Sequence, residues 1–241
     1  MKLYITILLV LVTKLCFSQN TNIAVTYKSL LNDDLNEFGS YMFNKGELIT
    51  NSKESLYFET PLDTIFQMEN FGNVSTSNNH YRFTYYKDLV KNVVIYDRSY
   101  SLKQIVADDN YKIDWTLTNN TKKILTHKCQ EAIGQFRGRR YSAFFATDIS
   151  IPNGPFKFDG LPGLILEVKS EDGAVSIIAT EIKQSDSLIV NPFTGKNYKS
   201  WSDFMTSYGK YLDRVSNKVL EENTTMTVPN RYIEYFIKKW D

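Results

Sequence analysis

One histidine and one cysteine have a spacing that could support nucleophilic or metal chemistry. His127 and Cys129 are two residues apart in a segment with a strand-like pattern. Their side chains are therefore expected on one face, with Cβ atoms roughly 6 to 7 Å apart. A thiolate beside an imidazole can act as a nucleophile or as part of a soft-metal site. No third recognisable group accompanies the pair, and the alternative is a buried free cysteine beside a partly exposed histidine.

Scattered carboxylates are the second possible source of chemistry. A secreted hydrolase could use them, but no spacing singles out two of them as an acid and base pair. Most stand at predicted strand ends or turns, where carboxylates commonly accept turn hydrogen bonds. The serine nucleophile elbow, the P-loop and the dinucleotide fingerprint are absent from the sequence. The acids considered are Asp108, Asp109, Asp148, Asp159, Glu167, Glu171 and Asp172.

The N-terminal residues, 1–18, have the pattern of a cleavable secretion signal. Lys2 precedes an apolar stretch over residues 3–12. About ten apolar residues are too few for a helix to cross a bilayer core of roughly 30 Å. Cleavage is predicted after Ser18, which leaves residues 19–241 as one domain. We therefore expect an exported protein, periplasmic or secreted, without a transmembrane segment.

Composition narrows the classes of ligand. The whole chain has a formal charge of +1, and loss of Lys2 and Lys14 with the leader makes the mature charge −1. This balance argues against nucleic-acid binding, which usually shows a clustered basic excess. The leader also removes Cys16, so one cysteine remains beside His80 and His127, too few ligands for a tetrahedral zinc site. No metal, no other cofactor and no disulfide is predicted.

The one dense basic cluster surrounds Gly138. It consists of Arg137, Arg139 and Arg140. A tight turn between two strands explains this cluster as well as a nucleic-acid contact does, and the turn is the preferred interpretation.

The most unusual stretch runs from Asp148 to Val168 and contains two clusters of proline and glycine. Proline fixes φ and glycine permits a positive φ, so together they dictate a chain reversal. We interpret the second cluster as a structural turn anchored in the core by its apolar residues, and we assign no binding role to it. Its residues are Gly160, Leu161, Pro162, Gly163, Leu164 and Ile165.

These six residues spell the motif of the GLPGLI family of exported Bacteroidetes proteins, which this chain resembles. The resemblance extends from Trp115 to Glu181. It implies a location in the cell envelope or outside the cell, and it implies no catalytic residue, because the family has no established general activity. Where the family often has tryptophan, this chain has Phe144 and Phe156. The further matching residues are Lys122 to Ile124, His127 to Ala132, Gly138, Arg139, Phe144, Phe145, Ile149, Gly154, Pro155, Lys157 and Phe158.

Most of the chain has the alternating pattern of antiparallel strands. Hairpin turns are predicted at Asn44 to Gly46, at Arg137 to Arg139, where a strand from Lys123 to Phe136 ends, and at Glu171 to Gly173. Apolar residues then recur at helical spacing from Trp201 to Val219, after a start that resembles a capping box.

The sequence thus predicts a mainly β fold: a single curved antiparallel sheet, half-barrel-like, with one or two C-terminal helices packed on it. By analogy with lipoprotein-carrier half-barrels, we expect a non-enzymatic envelope protein that binds an apolar ligand, a peptide or an outer-membrane partner. Two alternatives stay open. One is a secreted hydrolase that uses Cys129 and His127 or the carboxylates, and the other is a structural or assembly factor of the envelope.

Overall fold

The computed structural model describes residues 22–33, 40–62, 64–68, 72–76, 82–98, 104–221 and Glu234. The predicted leader and its cleavage site lie outside these residues and stay predictions.

Within this part of the chain, fourteen strands and one helix follow one another. The strands are β1 Asn22–Asp33, β2 Ser40–Thr50, β3 Glu54–Pro61, β4 Thr64–Met68, β5 Gly72–Thr76, β6 Phe83–Asp88, β7 Val93–Arg98, β8 Gln104–Asp108, β9 Thr116–Ile124, β10 His127–Phe136, β11 Arg139–Ala146, β12 Leu164–Ser170, β13 Val175–Ser185 and β14 Lys199–Ser200.

Twelve of the described strands form one sheet in the order β14-β8-β7-β6-β3-β2-β1-β13-β12-β11-β10-β9, and β4 pairs only with β5. The pairings are antiparallel except that of β14 with β8. Because the order does not close on itself, the sheet is open. The prediction of a mainly β, antiparallel fold with a C-terminal helix is confirmed.

Two of the three predicted hairpins are present. The turn between β10 and β11 has positive φ at Arg137 and Gly138 (42° and 88°), as a tight two-residue hairpin requires. The turn between β12 and β13 places Gly173 at φ 74°. The prediction of a turn at Asn44 to Gly46 is wrong, because β2 runs through these residues and pairs with β1 and β3. Gly46 instead makes room for the Tyr57 ring, whose hydroxyl lies where a Cβ would stand.

One hairpin was missed. The segment predicted as a strand from Lys123 to Phe136 is divided by a turn between β9 and β10. Leu125 takes φ 52° there without the glycine or asparagine that usually signals a positive φ.

The connection between β11 and β12, residues 147–163, folds over one face of the sheet. We call this connection the inner loop, and the face that it covers the inner face. The inner face carries Tyr57, Tyr85 and Tyr96, which are cross-strand neighbours on β3, β6 and β7. Every residue of the loop from Asn153 to Asp159 is buried. The motif from Gly160 to Ile165 therefore lies at the end of a loop that belongs to the core.

Helix α1, Trp201–Glu221, begins at a capped end. The Ser200 hydroxyl accepts the Asp203 amide at 3.1 Å and donates to the Asp203 carboxylate at 2.7 Å. Phe204 is buried in the core, and the helix lies beside β8 and β14 at one edge of the sheet. Within the described residues, no helix has an apolar stretch long enough to span a bilayer.

Candidate functional site

Aromatic rings fill the inner face beneath the inner loop. The Phe156 ring lies 4.7 Å from the Tyr57 ring and 5.3 Å from the Tyr85 ring, centroid to centroid. Tyr85 stacks on Tyr96 at 5.2 Å. Phe158 packs edge-on against Tyr141 at 4.9 Å. The rings of this loop therefore fill the inner face against the tyrosines of the sheet.

The motif residues fix the end of this loop. Leu161, Gly163, Leu164 and Ile165 are buried, whereas Gly160 and Pro162 are exposed. Gly160 has φ 84°, in the left-handed region that favours glycine. At Gly163 a Cβ would meet the Ala146 carbonyl oxygen, so the chain passes too close to β11 for any larger residue. The geometry is that of a tightly packed turn.

A buried lysine holds the inner loop onto β6. Lys87 is 0% exposed and donates to the carbonyl oxygens of Gly154 and Phe158 at 2.9 and 3.1 Å. Burial lowers the pKa of this ammonium to about 7, although the nearby Asp159 carboxylate acts in the opposite direction. Neither carbonyl oxygen accepts a hydrogen bond from a neighbouring described strand. The lysine therefore supplies the hydrogen bonds that these buried backbone groups would otherwise lack.

Asp159 is a second junction between this loop and the rest of the chain. Its carboxylate accepts the Tyr111 hydroxyl at 2.8 Å and the Lys112 ammonium at 3.0 Å. Its backbone oxygen accepts the Trp115 indole at 2.8 Å. These bonds tie the residue before the motif to the segment between β8 and β9.

A third cluster buries two cations with two carboxylates. Lys157 lies 2.8 Å from Asp108 and 2.5 Å from Glu234. Arg137 reaches the same two carboxylates at 2.8 and 3.0 Å. Burial alone would lower the pKa of Lys157, but Glu234, Tyr96 and Asp108 raise it above its usual range. The cluster joins β8, the turn between β10 and β11, the inner loop and the C-terminal end of the chain.

A fourth group of buried polar side chains lies on β1 to β3. The Asn44 amide donates to Glu59 at 3.2 Å. Burial raises the pKa of Glu59 to about 8, against the opposing effect of Ser29 and Asn44. The Ser29 hydroxyl, the Asn44 carbonyl oxygen and the Tyr57 hydroxyl have no hydrogen bond of good geometry. The raised pKa favours the neutral carboxyl of Glu59, whose O–H is a hydrogen-bond donor in a cluster that has spare acceptors.

The histidine and cysteine do not form a reactive pair. Cys129 is fully buried, and burial raises the pKa of its thiol to about 11. Its sulfur lies 3.7 Å from the backbone oxygen of His127, while the His127 ring bonds to Asp148 at 2.8 Å. A thiol that holds its proton and is closed to solvent gives no support to a nucleophile. Among the described residues, no cluster of three or more histidines, cysteines and acids could hold a metal ion.

Several carboxylates lie in unexpected places. The acids were expected mostly at strand ends or turns, but Asp108, Asp159 and Glu167 are buried in ion pairs. Glu167 on β12 accepts the Lys122 and Lys169 ammonium groups. Charged partners from distant parts of the chain make this burial possible, and sequence spacing cannot show such partners.

Two of the three arginines around Gly138 form ion pairs in the interior of the protein. Arg139 is 2% exposed and pairs with Asp172 at 2.9 Å. Arg137 belongs to the buried cluster described above. Arg140 stays exposed, with Glu171 at 3.8 Å. The turn interpretation therefore agrees with the geometry of β10 and β11.

Residues 186–198, which we call the outer segment, lie against the opposite face of β3, β6, β7 and β8. Ile189 and Phe193 of this segment pack on an apolar cluster that includes Tyr86 and Ile95. Other side chains of the segment point away from the protein: Leu188 is 84% exposed, Val190 65% and Tyr198 57%. The segment thus closes one side of the sheet and presents apolar groups to solvent.

Residues 45–208 match a protein family described as "N-glycanase peptide, N-terminal domain". This match covers more than half of the chain. The chain belongs to this family.

Two solved structures of PNGF-II share the fold of this chain. These structures, in space groups C2 and P21, both have a TM-score of 0.50, with 21% and 18% identity. They match 75% and 76% of this chain but only 31% and 32% of their own, so the chain spans about a third of the PNGF-II length. A putative outer membrane lipoprotein-sorting protein domain from Vibrio parahaemolyticus has a TM-score of 0.34 and 8% identity, over 77% of this chain and 94% of that one. No curated protein sequence matches the chain.

Most of the buried ionisable residues that the sequence did not predict lie within the part of the chain that matches the family. Lys87 and Glu59 are the main examples. A signal for Lys87 was present, because it occupies a core position in the alternation of β6, two residues after Tyr85. Glu59 likewise follows Tyr57 by two residues on β3. In both strands the signal was a charged residue that continues the alternation of the apolar face.

Proposed function

We propose that this chain is an exported, non-catalytic binding domain that holds a polypeptide partner through its outer segment. The supporting observation is the exposure of Leu188, Val190 and Tyr198 on a segment that is held to the sheet by buried Phe193 and half-buried Ile189. Apolar groups gathered on one segment of a protein surface are typical of interaction sites. Membership of the GLPGLI family as well, and a location in the cell envelope, belong to the same proposal and rest on the motif and the leader.

Two features of the described residues favour this function over the alternatives. Phe156 and its aromatic neighbours fill the inner face. This packing gives no support to a carrier that would bind an apolar ligand on that face. Burial of Cys129 and the internal bonds of Asp108, Asp159 and Glu167 disfavour a hydrolase built on those groups. A polypeptide as the partner is supported by PNGF-II, in which the related fold is about a third of a longer chain and is joined to further polypeptide.

Affinity capture from envelope extracts tests this function. The bait is the mature chain, either unchanged or with Leu188→Asp and Val190→Asp together. The control bait carries Leu117→Asp, at an exposed leucine on β9, at the far edge of the sheet from the outer segment. All three side chains are at least 50% exposed, so the folded state should keep its melting temperature (Tm) in both variants.

We expect the unchanged chain and the Leu117→Asp control to retain one polypeptide in a fixed stoichiometry. The double variant should lose it, because two carboxylates would have to be buried in the contact. The function is contradicted if no polypeptide co-purifies with the unchanged chain, or if the control loses it to the same extent.

A further inference from the structure

The buried cluster around Lys157 has the composition of an anion site. Lys157 and Arg137 carry two positive charges, and Asp108 neutralises one of them. The second is balanced by Glu234, whose side chain is 5% exposed. A buried positive charge without a counter-charge is strongly unfavourable. The position of the Glu234 carboxylate must therefore be filled by an anion.

The cations are held in position without help from Glu234. Arg137 also donates to the Asn110 carbonyl oxygen at 2.7 Å, and its guanidinium lies 3.6 Å from the centre of the Trp201 ring. Lys157 also donates to the Tyr96 hydroxyl at 3.2 Å. A site whose donors are fixed by other elements is preorganised for its ligand.

Glu234 leaves some of the hydrogen-bonding groups at this site without a partner. Both cations bond to the same oxygen, Oε1, at 3.0 Å from Arg137 and 2.5 Å from Lys157. Its second oxygen, Oε2, is buried without a hydrogen-bond partner, and so is the Trp201 indole nitrogen. Buried polar atoms without partners destabilise the arrangement that contains them.

Glu234 also comes from a distant part of the chain. It stands 97 residues after Arg137 and 77 after Lys157. Among the described residues, Glu234 therefore reaches this cluster from a part of the chain remote from both cations.

We infer that Arg137, Lys157 and Tyr96, beside Trp201, form a carboxylate-binding site that is occupied here by Glu234 and that accepts another carboxylate in its place. The ligand class follows from the paired cationic donors, which suit carboxylate geometry. The bound carboxylate comes either from Glu234 of the chain itself or from solution. Replacing Glu234 by a residue without a carboxylate distinguishes these two sources.

Chemical rescue tests the site. Glu234→Ala in the full mature chain should lower the Tm by about 5 to 15 °C, because it leaves a buried cation unbalanced. Sodium acetate should then restore much of the loss, and sodium chloride at equal concentration should not. The control is Glu181→Ala, at a glutamate with a 54% exposed side chain, which should show neither the loss nor the acetate response.

A double variant checks the charge argument. Lys157→Met together with Glu234→Ala leaves Asp108 balanced by Arg137, so this protein should be more stable than Glu234→Ala alone and should not respond to acetate. Glu234→Gln, which keeps the side-chain volume, should also have a lower Tm than the unchanged chain.

The site is refuted by any of three results: Glu234→Gln as stable as the unchanged chain, equal rescue of Glu234→Ala by acetate and chloride, or an acetate response that survives loss of Lys157. Equal rescue by phosphate would contradict the assignment to carboxylates.

Discussion

At the scale of single residues, the unusual feature of this protein is a set of ionisable groups inside the sheet. Glu59 and Lys87 lie on the same face of β3 and β6, and burial changes the pKa of both towards neutrality. The neutral forms suit their surroundings, since Lys87 donates to two carbonyl oxygens and Glu59 faces spare acceptors. These residues couple stability to pH in opposite directions.

Glu59→Gln should change the pH dependence of stability. Burial raises the pKa of Glu59 in the folded chain from 4.5 to about 8, so the folded state binds this proton more tightly than the unfolded state. Its contribution is fully present below about pH 4.5 and is lost as the pH rises towards 8. Glutamine cannot ionise, and the variant should gain about 1.4 kcal/mol relative to the unchanged chain for each pH unit in this window.

Urea unfolding between pH 5 and pH 9 measures the free energy of unfolding of both proteins. Lys87 is present in both, so its opposite contribution cancels in the difference between them. Glu181→Gln, at an exposed glutamate on β13, should follow the unchanged chain at every pH. Parallel profiles for Glu59→Gln and the unchanged chain would show that Glu59 is not held in its neutral form.

Two glycines of the motif should differ in their tolerance of a methyl group. Gly163→Ala places a Cβ against the Ala146 carbonyl oxygen, which is backbone and cannot move aside. We expect it to lower the free energy of unfolding by about 2 to 3 kcal/mol or more. Gly160→Ala meets open space and bears only the strain of φ 84°, about 1 to 2 kcal/mol. Chemical denaturation of both variants ranks them, and the reverse order would contradict the packing of this turn.

At the scale of elements, the inner loop is the part that sequence reasoning described least well. The alternation of apolar residues predicted the antiparallel strands, and the Gly138 and Gly173 turns were found from local composition. The hairpin at Leu125 was missed because its positive φ is carried by a residue with no such preference. The clusters around Lys87 and Lys157 depend on partners far away in the chain, and a single sequence does not show which distant residues meet.

Phe156→Ala should test the inner loop as part of the core. The Phe156 ring is 3% exposed and contacts two tyrosine rings, so its loss should lower the free energy of unfolding by about 3 to 5 kcal/mol. Phe144 on β11 is the matched control, because it is only partly buried and has the Lys122 ammonium 3.8 Å from its ring. Calorimetry should show a smaller loss for Phe144→Ala, and equal losses would mean that the inner face is not filled by this loop.

At the scale of the whole molecule, the sheet has two different faces. The inner face is closed by a loop rich in internal ion pairs, and part of the opposite face is closed by an outer segment that exposes apolar groups. The exposed apolar side chains of the outer segment are the feature on which the proposed partner contact rests.

Thiol labelling of the mature chain tests the closed core. Cys129 should react with a small disulfide reagent only after urea is added, because the thiol is buried and the pKa is about 11. Ser150→Cys combined with Cys129→Ala provides an exposed thiol for comparison. Labelling of Cys129 in the native protein at the rate of that exposed thiol would contradict the burial and revive a nucleophilic role.

Hydrogen exchange on the complex with the captured polypeptide tests the central claim most directly. Amide exchange is compared between the mature chain alone and the chain with its partner bound. We predict slower exchange over residues 186–198 and unchanged exchange over β9, at the far edge of the sheet. Protection confined to β9, or to the inner loop, with the outer segment unchanged, would contradict the proposal that this protein binds its partner through the outer segment.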